Sequence, residues 1–279
     1  MIVHKKLANG FSYIEVKNSS AEAKIALQGA HVFDYKRVDE EDGLLWLSEV
    51  SDFEIGKAIR GGVPICWPWF GFNENRSLPQ HGFARISMWE FVSAKEEGEN
   101  SSSLTFRLNH NEQTLKMWRY RFELELSVTI SHKLTMELKT TNLDCESFVL
   151  TQALHTYFNI SHISDAFVKG LDKKPYLDAL TSKDELQEGD IYFNQEVDRV
   201  YQRVESEVVL KDKNREIRIK NGGSSSVVVW NPWIEKTKRM SAMKEDAYKH
   251  FVCIESANAF DDRKVLKPKE SHTLRADLN

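Results

Sequence analysis

The sequence predicts a mainly β chain, a large antiparallel β-sandwich with a few short helices. Three observations lead there: the clearest apolar runs alternate with period two, such runs recur along the chain, and no βα alternation separates them. FELELSVTI, residues 122 to 130, sets Phe122, Leu124, Leu126, Val128 and Ile130 on one side and polar residues on the other, the pattern of a half-buried strand. After Ser131, His132 and Lys133 the alternation resumes in LTMELKT with Leu134, Met136 and Leu138. The two runs therefore read as an antiparallel hairpin.

Taken in order, FSYIEV, KIALQ, SLTFRLN, REIRIK, SSVVVW, FVCIE and HTLRADL give further short strands. Asn-Gly, Gly-Gly and Ser-rich breakers lie between them, as in NGGSSS at 221 to 226. Helical periodicity is scarce, and its best candidates are SDFEIGKA at 51 to 58 and the region from Ile234 to His250. No internal repeat or linker interrupts the pattern, so one domain over residues 1–279 is expected, a size that all-β folds commonly reach as one unit.

Composition excludes several classes. With 41% hydrophobic and 29% charged residues and no apolar run near the roughly 20 residues that span a bilayer, a membrane protein is not expected. The N-terminus lacks the pattern of a secretory signal, which points to the cytoplasm. A net charge of −4 disfavours nucleic acid as a partner, and a monomer is expected. Cys66, Cys145 and Cys253 are few and scattered, without metal-ligand spacing, and read as three partly buried thiols. The acidic run at 39 to 42 reads as a solvated loop tip.

Several residues could carry chemistry. His155, in the strand-like apolar segment LTQALHTYFNI, is either a hydrogen-bonded core residue or, given a partner, a catalyst. Glu255 follows FVCI, so its carboxylate either ends a strand in solvent or is paired at a cavity mouth, because an unpaired buried charge is costly. Asp198, in QEVDRVY, is either a turn residue or a ligand contact. Arg60 in RGG and Arg85 in HGFAR stand near glycines, where the backbone can approach a ligand closely. Their planar forks suit an oxyanion; the competing account is a pair of surface salt bridges. Trp67, Trp69, Trp230 and Trp233 are either core or platforms for sugar faces.

In order, RGGVPICWPWFG, PQHGFAR, LTQALHTYFNI, VDRVY, VVVWNPW and FVCIESAN resemble motifs of the hexose-phosphate mutarotases, the glucose-6-phosphate 1-epimerase branch of the aldose 1-epimerase family. The resemblance runs from about residue 10 to the C-terminus. It implies a galactose-mutarotase-like sandwich and an isomerase of carbohydrate metabolism that interconverts the α and β anomers of D-glucose 6-phosphate. By the same resemblance His155 is the general acid, Glu255 the general base and Asp198 a sugar contact, while Arg60 and Arg85 go with the phosphate. Gln80, His81 and Trp230 become further ligand contacts. After WNPW the continuation here is IEKTKRM, where relatives are commonly aspartate-rich, so that segment carries no assigned role.

Interconverting anomers requires taking the proton of the anomeric hydroxyl and giving one to the ring oxygen, work for a Glu255 carboxylate and a His155 imidazolium. Neither a redox cofactor nor a metal is called for. Two other readings stand beside this one: a neutral aldose 1-epimerase, and a non-catalytic sugar-phosphate-binding protein.

Overall fold

The computed structural model describes residues 1–213 and 215–279. Its strands pair antiparallel throughout, in the sandwich that the alternation predicts. The larger sheet has nine strands, with Phe122–Ile130, Leu134–Asn142 and Ser271–Leu278 among its central members. The predicted hairpin forms in register, Leu126 opposite Leu138 and Ile130 opposite Leu134. Burial along Phe122–Ile130 alternates at every residue, with Leu124, Leu126 and Val128 fully buried. Each such side chain contributes about 1.5–3 kcal/mol by leaving water.

The second sheet has eight strands and holds the site. Across it run Pro175–Asp178, Val197–Tyr201, Ser226–Asn231, Phe251–Asn258, Gln152–Leu154 and Ile65–Cys66, in that spatial order, with Tyr157–Asn159 also paired to Phe251–Asn258. Period two divides these strands between two environments. Val252 and Ile254, with Val227, Val229 and Leu154, join the main core facing the nine-stranded sheet. Cys253 and Ala257, with Val228, Trp230, Val200 and Ala153, form a second cluster on the opposite face. Glu255 lies between Cys253 and Ala257 in that alternation and so falls on this opposite face. A four-stranded sheet, Ile2–Lys6 to His31–Arg37, completes the fold with a two-stranded ribbon of Phe148–Leu150 and Lys264–Leu266.

Three expectations are corrected. Residues 51–58 form no helix: Gly56 donates its N–H to Gln28 Oε1, Lys57 offers its carbonyl to Gln28 Nε2, and Phe53 and Gly56 both take positive φ, which a helix forbids. From Ile234 to His250 there is only the end of the short helix Trp233–Thr237 and a 3₁₀ turn at Ala247–Lys249. Cys66 and Cys253 are fully buried, and only Cys145 is exposed. A helix the periodicity missed, Glu112–Met117, begins in a capping box in which Asn111 and Thr114 bond each other's backbone N–H, a local signal in HNEQT.

Candidate active site

Three sequence motifs are stitched together by backbone hydrogen bonds. Trp67 N–H donates to the His81 carbonyl at 3.2 Å and its own carbonyl accepts from Phe83 at 3.0 Å, joining RGGVPICWPWF to PQHGFAR. Tyr157 N–H donates to the Gly62 carbonyl at 2.9 Å and His155 N–H to Pro64 at 3.0 Å, which adds LHTYF. Glycines permit this closeness. A Cβ on Gly62 would lie 2.4 Å from the Val32 carbonyl oxygen, and one on Gly82 would lie 1.9 Å from that of Trp67; both residues have positive φ. The buried His31 imidazole donates from Nε2 to the Gly61 carbonyl at 2.8 Å and so fixes the backbone next to Arg60.

On the sheet face, register sets the remaining groups. Asp198 stands opposite Trp230, Trp230 opposite Cys253, and Cys253 opposite Tyr157, a row across four strands. Glu255 stands opposite Val228 in the next row. His155 lies in the break between Gln152–Leu154 and Tyr157–Asn159, so the apolar segment LTQALHTYFNI holds two short strands. The His155 ring stacks on Tyr157 at 4.9 Å and meets the rings of Trp230 and His81 edge-on at 5.7 and 5.8 Å.

His155 Nε2 lies 3.4 Å from Glu255 Oε1, long for a hydrogen bond between them. Glu255 is 1% exposed and His155 8%, so the solvent-facing strand end left open for Glu255 is excluded, and the two side chains face each other. Among the described residues, His155 Nδ1, Glu255 Oε2, Arg60 Nε and Arg85 Nε are buried without a hydrogen-bond partner. Native interiors rarely leave such atoms unpaired, so their concentration here marks a surface shaped for a polar ligand.

Burial, with the positive charges of Arg85 and Arg60 adding to it, pushes the His155 imidazole down to about 3. Burial, reinforced by the nearby Asp198 charge and opposed by Arg85, holds the Glu255 carboxyl well above its usual range. Both effects favour the neutral form of the pair, with the proton on Glu255. The ionic form expected from the sequence holds the same number of protons and differs by one transfer across the 3.4 Å gap. His81 Nδ1 accepts the Gly71 N–H at 3.1 Å, so in the neutral ring the proton is on Nε2 and that nitrogen is a donor. Burial and Arg85 keep this ring well below its usual range, hence neutral.

Arg60 and Arg85 are half-buried, and among the described residues neither forms an ion pair, so the surface salt-bridge reading fails. Their charges act on the same three groups: His81, His155 and the buried Tyr157 phenol, which burial pushes up against their pull. Arg85 Nη2 donates to the Gln80 carbonyl at 2.7 Å, which anchors one end of its fork. Gln80 is exposed at the rim. Asp198 is half-buried beside Lys236, whose Nζ is 3.4 Å from Oδ2 and 2.8 Å from Glu196 Oε1. Burial raises the Asp198 carboxyl and the Lys236 charge draws it back. Trp230 belongs to the site face, whereas Trp67 is buried in the main core with Nε1 donating to Thr140 Oγ1 at 3.0 Å.

Sequence reasoning left Tyr157, Lys236 and Trp46 unassigned. Tyr157 had a signal, two residues beyond His155; Lys236 had one in the unexplained IEKTKRM. Trp46, stacked against Tyr157 at 5.8 Å, had none. A hollow of about 470 Å³ lined by Leu45, Trp46, Ser48, Asp246 and His250 shares Trp46 but holds none of the predicted site residues.

Known proteins resemble the whole chain. A protein of Escherichia coli (strain K12) named "putative glucose-6-phosphate 1-epimerase" is 37% identical over 99% of this chain and 92% of its own. One of Cenchrus ciliaris with the same name is 38% identical over 92% of this chain and 80% of its own. The crystal structure of a "putative mutarotase" from Salmonella typhimurium superposes with a TM-score of 0.92 at 34% identity, covering 99% and 92% of the two chains. A galactose mutarotase-like protein from Clostridium acetobutylicum, 16% identical with a TM-score of 0.76 over 100% and 98% of the two chains, shares the fold. The aldose 1-epimerase family profile matches residues 12–278, and this chain belongs to that family as a sugar epimerase.

Proposed function

We propose that the chain interconverts the α and β anomers of D-glucose 6-phosphate and related hexose 6-phosphates, acting as one catalytic domain with His155 and Glu255 as its acid–base pair. The observation that carries the phosphate preference is the pair of half-buried arginines, Arg60 and Arg85, with no acidic partner among the described residues and with fields that reach the same three groups. Two unneutralised guanidiniums beside a buried imidazole repel each other and depress its proton affinity. A dianionic phosphate several bonds from the anomeric carbon relieves both effects and accepts both forks. The relatives named for glucose 6-phosphate support the same substrate.

The reaction follows from the pair. The sugar hydroxyl and ring oxygen bridge Glu255 and His155, supplying the donor to the carboxylate and the acceptor to the imidazolium that make the ionic form favourable. Glu255 takes the proton of the anomeric hydroxyl as His155 protonates the ring oxygen; the bond from that oxygen to the anomeric carbon breaks, and the hydroxyl becomes a carbonyl. Rotation about the adjacent carbon–carbon bond turns the other face of the carbonyl to the oxygen. Closure then reverses both proton transfers. Asp198, His81 Nε2–H and Gln80 hold hydroxyls, Trp230 walls the ring, and the remote phosphate fixes the anomeric carbon between acid and base.

NMR exchange spectroscopy on equilibrated glucose 6-phosphate tests this. Added protein is expected to accelerate anomer exchange, with a higher kcat/KM than for glucose. An unchanged exchange rate overturns the proposal. A preference for glucose would instead favour a neutral aldose 1-epimerase, and saturable binding without exchange a sugar-phosphate-binding protein.

A further inference from the structure

The segment after WNPW, unassigned in the sequence, places a cation beside Asp198 and Trp230. Asn231 is fully buried and accepts the Trp233 N–H at 2.9 Å, while its amide donates to the carbonyls of Tyr248 and Phe251, each at 2.9 Å. This hub sets the start of the helix Trp233–Thr237 directly on the end of the strand that carries Trp230. One turn along, Lys236 comes back over the sheet. Its Nζ lies 2.8 Å from Glu196 Oε1, 3.4 Å from Asp198 Oδ2 and 5.7 Å from the centre of the Trp230 ring.

Glu196 and Asp198 are two residues apart, so their carboxylates fall on one side and repel unless a cation stands between them. Lys236 is that cation, and it holds only one oxygen of Asp198. Among the described residues Asp198 Oδ1 accepts no hydrogen bond, so it remains available to a donor. The same ammonium lies over the ring whose edge meets His155 at 5.7 Å. One side chain thus backs two walls of the site.

We propose that Lys236 is a positioning residue that clamps Asp198 and Trp230 so that Asp198 Oδ1 meets a sugar hydroxyl; this rests on the hexose 6-phosphate reading above. It touches no reacting atom, so its loss weakens sugar binding more than turnover. The test is anomer exchange of glucose 6-phosphate, measured as a function of concentration for the wild type, Lys236→Met, Lys236→Arg, Asp198→Asn and the double variant Lys236→Met/Asp198→Asn, with thermal melting of each.

Lys236→Met is expected to raise KM roughly tenfold with kcat changed much less, the scale of one misplaced hydrogen bond to a charged group. Lys236→Arg should recover most of that loss. In the Asp198→Asn background, Lys236→Met should add nothing, because the two residues act as one unit. An unchanged KM in Lys236→Met, a change confined to melting, or independent losses that multiply in the double variant would overturn the inference alone. Absence of exchange by the wild type would remove the substrate reading and this inference with it.

Discussion

His155, Glu255 and Asp198 rise from the strands of one sheet or from the break between two of them, whereas Arg60 and His81 come from loops, and Arg85 from the 3₁₀ turn Ala84–Ile86, packed closely at glycines. The floor holds neutralised chemistry: an imidazole and a carboxyl 3.4 Å apart, both driven toward their uncharged forms by burial. The rim holds charge, two guanidiniums without an acidic partner among the described residues. A regular sheet fixes side chains to within a fraction of an ångström, as proton transfer requires, and loops can carry cations out to where a remote anion is met. Under the proposed function the contrast separates turnover from recognition.

Replacing the floor should produce the largest effect. Glu255→Gln or His155→Ala is expected to lower kcat for anomer exchange by about 10²–10⁴-fold, with the fold retained on circular dichroism. An exchange rate within a few-fold of wild type in either variant would dissolve the distinction between floor and rim.

Replacing the rim should change recognition. Arg60→Ala and Arg85→Ala are each expected to raise KM for glucose 6-phosphate roughly 10- to 100-fold, as loss of a charge-assisted contact implies. Rates with neutral glucose should change little. Equal losses on both sugars would show that the arginines serve the floor and not a phosphate.

The floor also has a pH signature. Burial raises the Glu255 carboxyl well above its ordinary 4.5, so the folded chain binds this proton more tightly than the unfolded one. Stability from this group is present below about pH 4.5 and is lost as pH rises through the folded value, at up to about 1.4 kcal/mol per pH unit. His155 has the opposite sign. Its value falls from 6.5 to about 3 on folding, so stability declines as pH drops below 6.5. Urea denaturation across pH should show Glu255→Gln flattening the alkaline decline and His155→Ala the acid one; unchanged slopes would mean that the pair is not held neutral.

The smallest expected effect tests the stitching of the rim. Gly82→Ala puts a Cβ 1.9 Å from the Trp67 carbonyl oxygen at a positive φ, and is expected to cost about 2 kcal/mol in chemical denaturation. Unchanged stability would mean that the loops are not locked to Trp67.

The sandwich was legible because period two in FELELSVTI and LTMELKT needs only local geometry to become a half-buried hairpin. The ordered motifs named His155, Glu255, Asp198, Arg60 and Arg85. Residues 51–58 misled because an apolar spacing that suits one helical turn was overridden by Phe53 packing against Phe11 and Phe33 and by the hydrogen bonds that Gln28 donates to the Lys57 carbonyl and accepts from the Gly56 N–H. Tertiary structure alone decided which face of the sheet lies against the core. It also set His155 against Glu255, brought the charges of Arg60 and Arg85 to bear on His155, and laid Lys236 against Asp198. The physical reason is range: alternation and glycine conformations are set by neighbours in the chain, whereas desolvation, unneutralised charge and an acid facing a base exist only once distant strands have paired.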